Sequence, residues 1–216
     1  KIIIIGAGAA GIGAGLRLKA LGVPFIILEA NDRIGGRAYT DSTSLSSKWD
    51  KGCSWFHCAD INPLVGWANK LGTLYDRYDR SENALFWSES HWLDATESSS
   101  VNLNIQKRFQ EIYATAELGH DVSISDTPVN NSFSAAVSEE LVKLMCSEEP
   151  QLASAVGYGD YNDTGVNWMV TSGYGDLINR MAADVPIRMN TKVLAISYQK
   201  GGVRVETSSG QLNARA

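Results

Sequence analysis

Four consecutive isoleucines, Ile2 to Ile5, follow Lys1 with no polar alternation. A β-branched run of that kind predicts a strand buried on both faces, in the middle of a parallel sheet. From 9 to 21 the pattern changes. Small residues at Ala10, Gly11, Ala14 and Gly15 give way to Leu16, Leu18 and Leu21 before Gly22, which predicts a helix ended by a glycine. A second apolar run over 23–28 predicts another strand and completes a βαβ-type unit.

The middle of the chain is helical and amphipathic in pattern. Asn62-Pro63 opens a helix with Leu64, Trp67, Ala68 and Leu71 on one face and Gly72 behind it, so start and stop signals agree. Leu85-Phe86-Trp87 and His91-Trp92-Leu93, around Ser88-Glu89-Ser90, predict a short hairpin. Val101, Ile105, Phe109, Ile112 and Ala116, with Gly119 beyond, predict a helix over 99–118, and a further one is expected over 133–146. The polar stretch 120–132 reads as a loop. Near the end, Asp176 is expected to cap a helix carrying Leu177, Ile178, Met181 and Ala182, with Pro186 after it. Strands over 193–198 and 203–207 flank Lys200-Gly201-Gly202 as a hairpin, and 211–216 reads as the first half of one more strand. No internal repeat is visible.

Composition narrows the function classes. The 216 residues suffice for one large domain or two modest ones, and 19 basic against 24 acidic residues leave a net charge of −5. No basic block is present, so nucleic acid is not the expected partner. Apolar stretches fall well short of the roughly 20 residues that span a membrane, and no signal-peptide pattern is seen. A cytoplasmic protein that binds no membrane is therefore expected, provided that the true start is present, since Lys1 is not a methionine. Cys53, Cys58 and Cys146 are too few and too irregular for a disulfide framework, and reduced thiols are expected.

The strand–helix junction carries the chemistry. Gly6, Gly8 and Gly11 form G-x-G-x-x-G: the first permits a tight turn, the second lets a pyrophosphate approach the backbone, and the third lets the helix pack on the strand. The N–H groups at the helix start, around Ala10, would face the phosphates. Glu29 follows the second strand near the spacing, about 20 residues on, at which an acidic side chain receives ribose hydroxyls. Its charge disfavours the 2′-phosphate of NADP. A second glycine pair, Gly35 and Gly36, precedes Arg37, whose guanidinium could grip phosphate oxygens in a fork.

Glu29-Ala30, Arg33, Gly35, Gly36 and Arg37, after that glycine motif, resemble the signature of the flavin-containing amine oxidase family. WDKGCSWFHCADINPL over 49–64 resembles the family's Asp-Leu-Gly-Gly-Ser-Trp segment, and Trp55-Phe56-His57 with Asn62-Pro63-Leu64 is closer to its polyamine oxidase branch. Lys51 stands where Leu is usual, Cys53 where Gly or Ala is, and Cys58 where Gly often follows the His. The stretch 170–207 resembles the family's return to the flavin domain, with Val193 at the position whose backbone contacts adenine and Ser172 in place of a glycine.

The resemblance implies an α/β chain: a Rossmann-type FAD-binding domain, formed by 1–64 and 166–216, with an inserted, mainly helical substrate domain over 65–165. It implies FAD as cofactor, with Glu29 on the ribose and Gly6, Gly8, Gly11 and Arg37 on the pyrophosphate. Ala10, Ala30, Gly35 and Gly36 would lie alongside, Val193 on the adenine, and Gly52, Ser54, Trp55 and His57 toward the ring. The family carries a comparable length after this point, with a lysine near the flavin, so an N-terminal half is expected whose main catalytic residues lie beyond Ala216. A C-terminal half or partner chain is then an expected partner.

His57 is the candidate catalytic residue, as a neutral imidazole that could hydrogen-bond an amine or water. A packed histidine in an aromatic neighbourhood is the competing reading. Cys53, His57 and Cys58 supply no fourth ligand, so no metal site is expected, and Ser54 is not in a G-x-S-x-G elbow. His91 and His120 read as surface residues. Trp87, Trp92, Tyr158 and Trp168 are candidates for an amine-binding cleft and equally for core. The implied reaction converts a primary or secondary amine, a polyamine among the candidates, to an imine, with oxygen reduced to hydrogen peroxide. A non-catalytic FAD-binding fragment or subunit is one alternative, and an L-amino acid oxidase or other related flavoenzyme is another.

Overall fold

In the computed structural model, which describes residues 1–77, 85–88, 90–129 and 132–215, the isoleucine run forms β1 (Ile2–Ile5), the small-residue segment α1 (Ala9–Ala20), and the second apolar run β2 (Phe25–Leu28). Gly15 explains how tightly α1 lies on the sheet: a Cβ there would come within 2.9 Å of Phe25 and 3.2 Å of Ile27. Three two-residue strands follow, β3 (Thr40–Asp41), β4 (Trp49–Asp50) and β5 (Trp55–Phe56). They are too short for any alternation to announce them. Next comes α2 (Pro63–Leu71), whose Asn62 cap accepts from the Leu64 N–H and whose end is Gly72 at φ 68°, then β6 (Tyr75–Asp76).

Between 85 and 164 the chain is mostly helical. A hairpin of β7 (Trp87–Ser88) and β8 (His91–Trp92) sets Trp87 opposite Trp92, ring edge against ring face. Helix α3 (Ala95–Glu117) begins four residues before its expected start, because Asp94 and Glu97 form a capping box that apolar periodicity does not reveal. Helices α4 (Ser132–Cys146) and the five-residue α5 (Ala155–Gly159) follow. The expected loop holds a single 3₁₀ turn, Ile124–Asp126, with Ile124 buried against Ile112, Val142, Ala153 and Ala155. Arg108, itself buried, donates to the Ile124 and Pro128 carbonyls at 2.8 and 3.2 Å and so holds that loop on α3. Glu89 of the expected hairpin, residues 130–131 of the expected loop, and Ala216 lie outside the described residues.

The return stretch gives β9 (Trp168–Val170), α6 (Tyr174–Met181), β10 (Ile187–Arg188), β11 (Val193–Gln199), β12 (Gly202–Thr207) and β13 (Gly210–Ala214). β10 joins the opening unit, parallel to β2, in a sheet of order β1-β2-β10. Two expectations are corrected here. β2 is the central strand, and among the described residues β1 is an edge strand, half-buried, with Ile5 51% exposed. Asp176 does not cap α6, which starts two residues earlier behind Gly173. The remaining strands form the antiparallel sheet β5-β9-β6 and the meander β11-β12-β13.

The chain divides into two compact units, Lys1–Asp79 with Gly165–Ala216, and Arg80–Thr164 between them in sequence. The sequence-based boundary of 64/65 differs from this division because α2 packs on α6 inside the first unit. That packing buries Ala68, Leu177 and Ile178 with Ile12 of α1 and Phe56 of β5, each large apolar side chain worth about 1.5–3 kcal/mol. Among the described residues no helix is long and apolar enough to cross a membrane.

Candidate functional site

The three motif glycines have three different physical causes. Gly6 sits at φ +90° in the turn after β1, a conformation that L side chains rarely adopt. A Cβ on Gly11 would lie 2.0 Å from the Gly6 carbonyl, so α1 can start this close to β1 only with glycine there. At Gly8 the added Cβ would meet no protein atom nearer than the Gly35 carbonyl at 4.0 Å. It would enter open space in front of the start of α1, where Gly8 supplies no side-chain cap and the first turn holds no acidic residue. An open backbone at an uncapped helix N-terminus fits a pyrophosphate.

The second glycine turn lies against the first. Gly35 donates its N–H to the Ala7 carbonyl at 2.8 Å, Gly8 and Gly35 form a parallel bridge, and Gly36 brings its own positive φ of 59°. Arg33 donates to the Gly36 carbonyl at 2.9 Å and lies over the Tyr39 ring. Arg37 is exposed at the end of the turn, and Ala10 and Ala30 are exposed as well.

Glu29 is buried at the end of β2. Its Oε2 accepts from the Ala7 N–H at 2.8 Å, and its Oε1 accepts from the backbone and side-chain N–H groups of Asn31, both at 2.9 Å. Burial pushes this carboxyl up, but the N–H donors of Asn31, Ala7 and Ala30 outweigh it and hold the pKa below its ordinary value of 4.5. Oε2, with one of these three bonds, keeps acceptor capacity for a hydroxyl. The return stretch arrives at the same place: Glu29 donates its N–H to the Arg188 carbonyl, Thr191 donates to the Glu29 carbonyl at 2.7 Å, and Asn190 donates to the Asn31 carbonyl. Val193 begins β11 two residues later. Both ends of the chain thus meet at the carboxyl end of β2, where open α/β sheets bind ligands. These residues fit an adenine dinucleotide.

Gly52, Ser54, Trp55 and His57 are placed differently. Gly52 abuts the glycine turns, because its Cβ would fall 1.8 Å from the Arg37 carbonyl, and Cys53 donates its N–H to that carbonyl. Ser54 and Trp55 continue into the β5-β9-β6 sheet, with Phe56 buried between half-buried Trp55 and exposed His57. His57 Nδ1 lies 2.7 Å from Asn167 Oδ1. An amide oxygen only accepts, so Nδ1 is the donor in this pair. Asn31 and Asn167 escaped the sequence reading; only their places beside the Glu29 and Trp168 motifs could have pointed to them.

Two of the four departures from the family pattern, Lys51 and Ser172, have local explanations. Lys51 pairs with the buried Asp41 carboxylate and lies over the Tyr39 and Trp49 rings. The Ser172 hydroxyl accepts from the Leu74 N–H at 2.9 Å, a bond that glycine could not make. The aromatic candidates form separate groups: Trp168 stacks on Tyr75, Tyr158 on Phe109, and Trp87 pairs with Trp92. His91 lies 3.7 Å from Glu97, and His120 is exposed. Among the described residues no cluster of His, Cys, Asp and Glu could hold a metal ion.

Two outcomes follow from the glycines and from Glu29. Gly8→Ala, which meets no protein atom, should fold normally and lose at least about tenfold in FAD affinity, whereas Gly11→Ala should fail to fold stably; thermal melts and FAD titrations of both variants check this. Because its folded pKa is depressed, Glu29 contributes stability that is complete above 4.5 and lost as the pH falls through the lower folded value. Urea midpoints measured over about pH 3 to 6 should accordingly fall less steeply in Glu29→Gln than in the parent chain.

Comparison with known proteins identifies the family. The family model of flavin-containing amine oxidoreductases matches residues 9–114 and 76–216. Polyamine oxidase 4 of Oryza sativa subsp. japonica is 27% identical over 241 residues, covering 97% of this chain and 48% of that protein. Polyamine oxidase 2 of Arabidopsis thaliana is 27% identical, covering 98% and 48%. Lysine-specific histone demethylase 2 of Homo sapiens is 26% identical, covering 97% of this chain and 28% of its own length. A putrescine oxidase double mutant with redesigned cofactor binding superposes with a TM-score of 0.71 at 18% identity, over 100% of this chain and 56% of its own, a likeness of fold. The chain spans about half the length of the curated plant oxidases it matches. It belongs to the flavin-containing amine oxidoreductase family.

Proposed function

We propose that the chain forms the FAD-binding part, and a portion of the substrate-binding part, of an amine oxidase acting on a primary or secondary amine, with a polyamine as the favoured substrate class. The observation that carries this reading is the convergence at one sheet end of the Gly8 cradle, the Gly35-Gly36 turn, the buried Glu29 carboxylate and the segment leading to Val193. The names of the plant relatives favour the polyamine. Residues 1–64 and 166–216 would hold the cofactor, and 65–165 would contribute to the substrate domain.

Each residue has a task that its surroundings suit. The N–H groups opening α1 and the Arg37 guanidinium would neutralise the pyrophosphate. Glu29 Oε2 would accept a ribose hydroxyl, and the Val193 backbone would meet the adenine. Gly52, Ser54, Trp55 and His57 would face the ring side, where Nε2 of a neutral His57 would accept a hydrogen bond from a neutral amine or a water. FAD held there would supply the two-electron redox chemistry that carries an amine to an imine and oxygen to hydrogen peroxide.

The test is amine-dependent peroxide formation by the full-length gene product, over a panel of monoamines, diamines, polyamines and α-amino acids. Peroxide with di- or polyamines is expected. Bound FAD without turnover of any amine would favour a non-catalytic FAD-binding protein, and turnover of α-amino acids alone would favour a related flavoenzyme.

A further inference from the structure

The β3–β4 hairpin, with two residues in each strand, is too small to hold a shape by itself. Its backbone nevertheless fixes the ring-side half of the candidate site. Cys53 N–H donates to the Arg37 carbonyl, Lys51 N–H donates to the Tyr39 carbonyl at 2.8 Å, and Gly52 presses on the Arg37 backbone. What holds the hairpin is a carboxylate brought to the start of a distant helix. Asp50 Oδ2 accepts from the Tyr174 N–H at 2.9 Å and Oδ1 from the Gly175 N–H at 3.4 Å, while the Thr40 hydroxyl donates to Oδ1 and accepts from the Asp176 N–H at 3.1 Å. Asp50 and Thr40 thus do for α6 what its own Gly173 cannot.

Steric fit shows how closely the two parts are joined. A Cβ on Gly173 would fall 2.8 Å from Thr40 Oγ1, and one on Gly175 would fall 2.4 Å from the Thr40 nitrogen. Helix α6 is rigid at the other end of this contact, with Leu177, Ile178 and Met181 in the core. Thr40 and Asp50 face each other across the hairpin, so the clamp grips both strands at once.

We propose that Asp50 is a positioning residue for the FAD site: by locking the hairpin to the N-terminus of α6, its carboxylate sets the backbone of the Arg37 turn and of Gly52 to Trp55. This rests on the reading of the site as an FAD site. Among the described residues no hydrogen bond joins Thr40 or Asp50 to Glu29 or to 190–193, so the clamp governs the pyrophosphate and ring side and leaves the adenosine side alone. Its signature is a split between two ligands. AMP needs chiefly the Glu29 side, whereas FAD needs both.

The experiment titrates the purified protein with FAD and with AMP, for the parent chain, Asp50→Asn and Thr40→Val, alongside thermal melts. Asp50→Asn keeps the shape and one acceptor but loses the charge. It should raise the Kd for FAD about tenfold, leave that for AMP within about twofold, and alter the visible circular dichroism of the bound flavin. Thr40→Val should move the same readouts in the same direction and less far. Equal weakening of FAD and AMP would overturn the proposal in favour of a purely structural role, and so would unchanged FAD affinity in both variants. Failure of the parent chain to bind FAD would overturn the cofactor reading itself, a result distinct from either.

Discussion

Where the two glycine turns meet, the Gly35 N–H donates to the Ala7 carbonyl at 2.8 Å, and Gly8 faces Gly35 with no side chain on either. A Cβ on Gly35 would fall 2.3 Å from the Ala38 carbonyl at a φ of +99°, so this turn needs its glycine, while at Gly8 the missing Cβ leaves open backbone. Because Ala7 also donates its own N–H to Glu29, a single residue joins the first glycine turn, the second glycine turn and the buried Glu29 carboxylate. The rest of the first unit is built outward from that join. α1 leans on β1 through Gly11, β10 and the 190–191 backbone close on Glu29, and the 51–53 backbone closes on Arg37.

Two carboxylates show how charge is managed in this arrangement. Among the described residues, Glu29 and Asp50 both take their hydrogen bonds largely from backbone N–H groups and have no cation as a hydrogen-bonded partner. At Glu29 these donors favour the ionised form without adding a counter-charge that would compete for a ligand. Asp41, by contrast, is paired with Lys51. The exposed Lys48–Asp176 pair near the clamp adds little, since surface ion pairs typically contribute under about 1 kcal/mol.

Most of the candidate cofactor site was legible because it depends on backbone geometry, and backbone geometry leaves glycines and β-branched runs in the sequence. Gly6, Gly8, Gly11, Glu29, Gly35 and Gly36 could be read from their spacing, and the structure brings them together. The edge position of β1 was not legible, because a run of isoleucines does not say how many neighbours a strand has. Nor was the start of α6: Asp176 looked like a cap, while the capping carboxylate is Asp50, more than a hundred residues earlier in the chain. Strands of two residues, such as β5 and β6, carry no period. Asn31 and Asn167 act through side-chain bonds to Glu29 and His57 that no spacing rule encodes.

The central claim is that one FAD site is assembled from the start and the return of the chain. Hydrogen–deuterium exchange of the protein with and without FAD tests it most directly. Added FAD should slow exchange together at residues 6–11, 29–31, 35–37 and 190–193, since hydrogen bonds join all four segments through Ala7 and Glu29. Protection confined to 6–11, with 190–193 exchanging as before, would contradict it.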